Sequence, residues 1–348
     1  MTYQDIDSRI KKDLKGWTRI VRRYQKPSTR KAFIQITNTF LPFLALWVLM
    51  YFAYDYSKLL TLGIGVIAGF FMVRIFIIQH DCGHQSFFKK TWLNNLTGVA
   101  CSVFSSIPFR YWATNHNFHH VHSGKLEVRD IGDIDTLTVE EYRQKGWLGR
   151  LGYRAFRHPI VMFIVGPAWY IGVVNRLPLA RLEGWRKTLT GLLPNNLLIL
   201  GLYLLLGFLI GWAKFFFIQL SVIMFFGIIA VWFFYVQHQH EATYKKWSDN
   251  WDYLLSAIRG STYYKLPRLV QWLTGNIGFH HIHHLNSGIP NYNLEKCAKE
   301  NPVFQRYVTI VGFRESLKCL QHKLWYDAEE RMISFREFYR LERQNRFA

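Results

Sequence analysis

The sequence predicts an all-α integral membrane protein, with four transmembrane helices in two hairpins and a cytoplasmic helical cap carrying a histidine-rich site. Three observations lead there. Four apolar runs, at 33–54, 59–78, 196–212 and 215–236, approach or exceed the roughly 17–25 residues that a helix needs to cross a bilayer. They come in pairs, joined by DYSK in the first case and by AK in the second, and connections that short force antiparallel hairpins. Finally, twelve of the 14 histidines fall into four clusters at or near the ends of apolar segments, leaving only His158 and His322 apart.

The first hairpin occupies 33–78 and the second 196–236, with a basic segment at 1–32, a polar and interfacial region at 79–195 and a polar region at 237–348, all expected to form one unit of 1–348. Lys and Arg set the orientation. Residues 1–32 hold Arg9, Lys11, Lys12, Lys15, Arg19, Arg22, Arg23, Lys26, Arg30 and Lys31, whereas the hairpin tips hold only Lys58 and Lys214. The positive-inside rule therefore places both termini and every histidine cluster in the cytoplasm. Between the hairpins, 98–109 and 159–174 are apolar but short and interrupted by Pro, which suits interfacial or buried segments rather than spans.

Half the chain is apolar and 17% is aromatic, as befits a membrane protein. The net charge of +20 flanks the apolar runs and no nucleic-acid module pattern appears, so no nucleic-acid partner is expected. Cys82, Cys101, Cys297 and Cys319 are far apart with no CxxC, which reads as reduced thiols. The first thirty residues are polar and basic, so no cleavable signal peptide is expected.

The histidine spacing carries the chemistry. With 14 histidines in 348 residues, chance gives roughly 0.02 matches to HxxHH, and the chain has two, HNFHH and HHIHH. Residues at i, i+3 and i+4 share one helical face, so His116, His119 and His120 project together, as do His280, His283 and His284. His80 and His84 form a further pair. Three such clusters exceed the ligand capacity of one ion and point to two metal ions, of an element that imidazole alone leaves open among Zn, Cu, Fe and Ni. Their position beside the apolar segments puts the cage within reach of a lipid acyl chain.

HDCGHQSFF, NHNFHHVHS, WFFYVQHQHE and GNIGFHHIHHLNSGIPNYNL resemble the histidine boxes of the membrane fatty-acid desaturases, in particular the bacterial and cyanobacterial acyl-lipid branch with its Δ12 and Δ5 enzymes. The resemblance implies two Fe ions that activate O2 and remove two hydrogens from the acyl chain of a membrane lipid, leaving a cis double bond and water. Electrons would come from ferredoxin or a cytochrome, and the basic face would suit an acidic donor. The implied ligands fall on His80, His84, His116, His119, His120, His238, His280, His283 and His284. His240 competes with His238, and its place two residues further on would turn it about 200° away on a continuing helix.

Ligating histidines usually donate their second N–H to a carboxylate or carbonyl, so Asp81, Asp133, Asp135 and Glu241 are candidate partners. Asn276, four before His280, could hold a water near iron, where coenzyme A ester desaturases instead use an Asn at the place of Phe234. His122 and His281 are expected to lie off the metal, and Cys82 to be a small buried residue. The same scaffold also serves fatty-acid and alkane hydroxylases and carotenoid ketolases. A metal transporter fits less well, because these spans hold almost no ionisable groups at their midplane.

Overall fold

The computed structural model describes residues 3–180 and 182–347. Four helices are long and apolar enough to cross a membrane: Thr29–Tyr56, Lys58–Gly83, Trp185–Ile210 and Trp212–His238, hereafter the first to fourth long helices. Single residues join each pair. Ser57 is extended at φ −158° and ψ 120°, which ends the first helix, and its Oγ accepts from Leu60 N at 3.2 Å, which starts the second. Gly211 turns the third into the fourth at φ 87°, a left-handed conformation that costs a glycine little.

The second and fourth helices form the centre, with 56% and 39% of their apolar windows buried, against 22% and 17% for the first and third. They touch closely at Gly69, where a Cβ would lie 2.7 Å from Cβ of Phe225. The outward faces of the first and third remain apolar, with Phe52, Leu197 and Phe208 at the surface.

Element ends differ from the apolar runs for a simple reason: a helix does not stop where hydrophobicity does. The third begins at Trp185 rather than 196, through the polar turns WRKTLTG, and continues past Pro194. The second runs on to Gly83, so His80 occupies its last turn. Segment 98–109 falls largely in a helix, Thr91–Ser105, which packs on the second long helix. Segment 159–174 forms a π turn, Val161–Val165, and a short helix, Gly166–Gly172, against the fourth. Together with the helix Trp147–Phe156 this stretch makes a pair bent by 59°, and counting that pair as one span would raise four to five.

The chain is mostly helical, as expected, with two small sheets added in the polar region. Thr262–Tyr264 pairs parallel with Thr309–Val311, and Leu324–Tyr326 pairs antiparallel with Arg331–Ile333. Strands of three residues are too short to show an alternating pattern in sequence. Near the N-terminus, helices Tyr3–Asp13 and Trp17–Arg22 belong to one apolar cluster with the third histidine box, through Ile10, Leu14, Val21, Ile282 and Leu285.

Candidate metal centre

Four helix ends meet at the cage. The second long helix presents His80 with His84 as its cap, and the fourth ends on His238. Two short helices, Phe109–His122 and His280–Leu285, supply the rest. Each short helix serves two separate groups of donors. In the first group, one ring nitrogen from each of His80, His84, His116, His120 and His283 lies within 4.8 Å of all the others. His119, His238 and His284 form the second group by the same measure. His280 adjoins the second, its Nε2 lying 2.9 Å from Nε2 of His238 and 3.1 Å from Nε2 of His284.

These contacts fit metal ligation. Imidazole nitrogens bind transition ions at about 2.0–2.1 Å, so two at right angles on one ion stand about 3.0 Å apart. Nε2 of His120 lies 3.0 Å from Nε2 of both His116 and His283. Nε2 of His84 and both ring nitrogens of His119 are buried without a hydrogen-bond partner among the described residues, as are both nitrogens of His240 and His281, but only those of His84 and His119 also fall within a donor group, where a metal would satisfy them. Burial holds the His119 ring down to about 3, and burial with mutual repulsion keeps His84, His116, His120, His280, His283 and His284 well below the ordinary histidine range. The rings are therefore neutral, the form that binds metal.

Two outer partners fix tautomers. His80 Nδ1 lies 3.1 Å from Oδ1 of Asp81, and His238 Nδ1 lies 3.0 Å from the Gly260 carbonyl. Either contact leaves Nε2 as the free nitrogen. Asp81 Oδ2 in turn accepts from Asn291 N at 2.6 Å and Asn291 Nδ2 at 2.8 Å. Aromatic rings wall the donors: Trp112 stacks on His116 at 4.5 Å, and Phe234 lies 5.4 Å from His119 and 5.2 Å from His238.

None of the other anticipated residues hydrogen-bonds a donor ring among the described residues, although Asp133 lies close to His119 and His238. Glu241 is 62% exposed and 3.7 Å from Arg331, because the chain turns outward after the cage. Asp135 pairs with Arg129 at 3.3 Å. Asp133 is buried 3.9 Å from Lys245; burial pushes its carboxyl up, but Lys245, His119 and His238 more than offset this and leave it below its ordinary value. Asn276, at φ 58°, directs its amide to the Asn291 carbonyl at 3.5 Å. His240 and His281 are buried outside both donor groups, and His122 bonds the Phe118 carbonyl at 2.9 Å. Cys82 is fully buried.

Sequence reasoning missed three participants. The Gly260 carbonyl leaves no trace in side-chain patterns. Asn291 lies in the IPNYNL string but carries no ligand signature. Arg157, fully buried, bonds Gln239 Oε1 at 2.9 Å, the Asp135 carbonyl at 3.1 Å and the His322 carbonyl at 3.0 Å. It thereby ties the end of the fourth long helix to the segment after the second histidine cluster.

Comparison with known proteins agrees with this geometry. The family model described as fatty acid desaturase matches residues 56–312, a span that contains every donor named above. A "Fatty acid desaturase" of Bacillus subtilis is 41% identical over 322 residues, covering 92% of this chain and 91% of that protein. An "sn-1 oleoyl-lipid 12-desaturase" of Picosynechococcus sp. is 27% identical, with 79% of this chain and 80% of that protein covered. An "sn-1 acyl-lipid omega-3 desaturase (ferredoxin)" of Nostoc sp. is 28% identical, covering 72% and 68%. With a match over most of its length and buried nitrogen donors in two groups, this chain belongs to the fatty acid desaturase family and is an oxidoreductase of that kind.

Proposed function

We propose that the chain is an O2-dependent acyl-lipid desaturase in which nine histidines hold two iron ions and a membrane lipid's acyl chain gains a cis double bond. The observation that carries this reading is the division of the imidazoles into two adjoining groups, where two helices long enough to cross a membrane end beside two short helices. The first ion would take His80, His84, His116, His120 and His283; the second would take His119, His238, His280 and His284. When bound, the pair supplies O2 activation: the acyl chain loses two hydrogens and, with two electrons and two protons from outside, O2 leaves as two waters. The protein's own part is to bury the donor rings, to orient His80 and His238 through Asp81 and Gly260, and to exclude water with Trp112 and Phe234. Names of the acyl-lipid relatives favour desaturation over hydroxylation or ketolation on the same scaffold. Expression in a host lacking the product, with gas chromatography of its lipids and iron analysis of the purified chain, tests the reading. An iron-loaded protein that yields only hydroxylated chains would replace it with the hydroxylase alternative.

We read the four long helices as spans, with both termini and the cage in the cytoplasm. Reporter fusions at Ser57 and Ala213 should behave as external and a fusion at the C-terminus as cytoplasmic. The bent pair Trp147–Phe156 and Val161–Arg176 sharpens this test, because a fifth span there would put one hairpin tip on the wrong side.

An acidic donor such as ferredoxin suits the exposed Lys12, Lys15, Arg19, Arg22 and Arg23, since their helices lie over the helix carrying His280, His283 and His284. Such steering weakens as salt rises, with a screening length of about 10 Å at 0.1 M. Reduction by an acidic donor should slow with added salt, and replacing Arg19, Arg22 and Arg23 with Gln should flatten that dependence. Stopped-flow reduction kinetics check both, and a flat salt profile in the unmodified protein would remove this surface as the docking site.

A further inference from the structure

A cavity of about 320 Å³ lies beside the cage, within the usual range of small-molecule sites, about 300–1,000 Å³. Gly83, chain neighbour of His84, lines one side, and Arg110, Thr114 and Asn117 line another from a single face of Phe109–His122. A different face of that helix carries His116, His119 and His120. Glu183, just before the third long helix, and Lys187, in its first turn, complete the wall. The cavity therefore sits at the level where the long helices leave their apolar stretch, next to the donors.

Its charges specify a ligand. Neither the Arg110 guanidinium nor the Lys187 ammonium pairs with a carboxylate among the described residues, and both side chains are exposed at the cavity. Glu183 accepts from Thr114 Oγ1 at 3.3 Å on one carboxylate oxygen, and among the described residues no donor reaches the other. Two cations and one carboxylate around a small space match a molecule with a phosphate at one point and an ammonium a few bonds away. We propose that this cavity binds the phosphoethanolamine head group of the lipid whose acyl chain is desaturated, phosphate on Arg110 and Lys187, ammonium on Glu183. This rests on the acyl-lipid reading above and names its substrate class. Phosphatidylglycerol would satisfy the cations and leave Glu183 facing a neutral glycerol, whereas a neutral glycolipid would leave both cations unpaired.

Lipid retention tests this without turnover. Detergent-purified protein is offered equal amounts of phosphatidylethanolamine and phosphatidylglycerol with identical chains, and bound lipid is read by native mass spectrometry. The unmodified protein should favour phosphatidylethanolamine by roughly tenfold, the size expected for one charge-assisted contact. Glu183→Gln should bring the ratio close to one. Arg110→Gln with Lys187→Gln should lower retention of both lipids by roughly tenfold or more, while iron content and melting temperature stay unchanged. Equal retention of the two lipids in the unmodified protein, or an unaltered ratio in Glu183→Gln, would each overturn the head-group site. Failure of the desaturase reading would show separately, as an absence of new double bonds in any lipid class.

Discussion

Replacing His238 with alanine should abolish desaturation and strip most of the iron from the purified protein, whereas His240→Ala should keep both. His238 is the last residue of the fourth long helix, and its two nitrogens are already divided: Nδ1 lies 3.0 Å from the Gly260 carbonyl and Nε2 lies 2.9 Å from Nε2 of His280. A neutral ring that donates from Nδ1 leaves its Nε2 lone pair to a metal. Its loss would open the second donor group, which has only His119, His280 and His284 besides. His240 is just as buried, but among the described residues neither of its nitrogens has a hydrogen-bond partner, and it belongs to neither donor group. Alanine there removes an unpaired polar ring as well as some packing, so the stability cost should be small. Iron analysis and lipid profiling of both variants decide the matter. Iron loss in His240→Ala alone would move the ligand by two residues and the helix end with it.

That contrast shows how far the sequence could be read. Helical spacing brings His116, His119 and His120 to one face, and it does the same for His280, His283 and His284, because i, i+3 and i+4 positions coincide whatever the helix packs against. His238 is singled out for a different reason than helical phase: the helix ends at His238, Gln239 leaves the α region at φ −108° and ψ 56°, and the following turn places His240. Outer contacts were hardest to foresee. Asp81 lies beside its histidine in sequence, yet Glu241, just past His240, faces Arg331, and Asn276, spaced like a helical neighbour of His280, sits in a left-handed turn before that helix begins. Contacts made across the fold, such as Gly260 on His238 and Arg157 on Gln239, depend on tertiary placement that no local pattern encodes.

Asp81→Ala should cost about 10–100-fold in activity or iron affinity, the scale on which partners of ligating histidines act. Its carboxylate is 1% exposed and fully engaged: Oδ1 faces His80 Nδ1 at 3.1 Å, and Oδ2 accepts both the backbone and side-chain N–H of Asn291 at 2.6 and 2.8 Å. One side chain thus orients a donor of the first group and anchors the helix Asn291–Glu300, which follows the helix of His280, His283 and His284. Alanine would strand three buried N–H donors, at roughly 1–3 kcal/mol each. Asn291→Ala separates the two roles, since it removes the anchor and leaves the carboxylate on His80. If Asp81 acts through His80, Asp81→Ala should surrender iron to a graded chelator far sooner than Asn291→Ala does, even at temperatures where both stay folded. Equal iron retention in the two variants would reduce Asp81 to a clamp between helices, with the orientation of His80 left to packing against Trp112, 5.8 Å away.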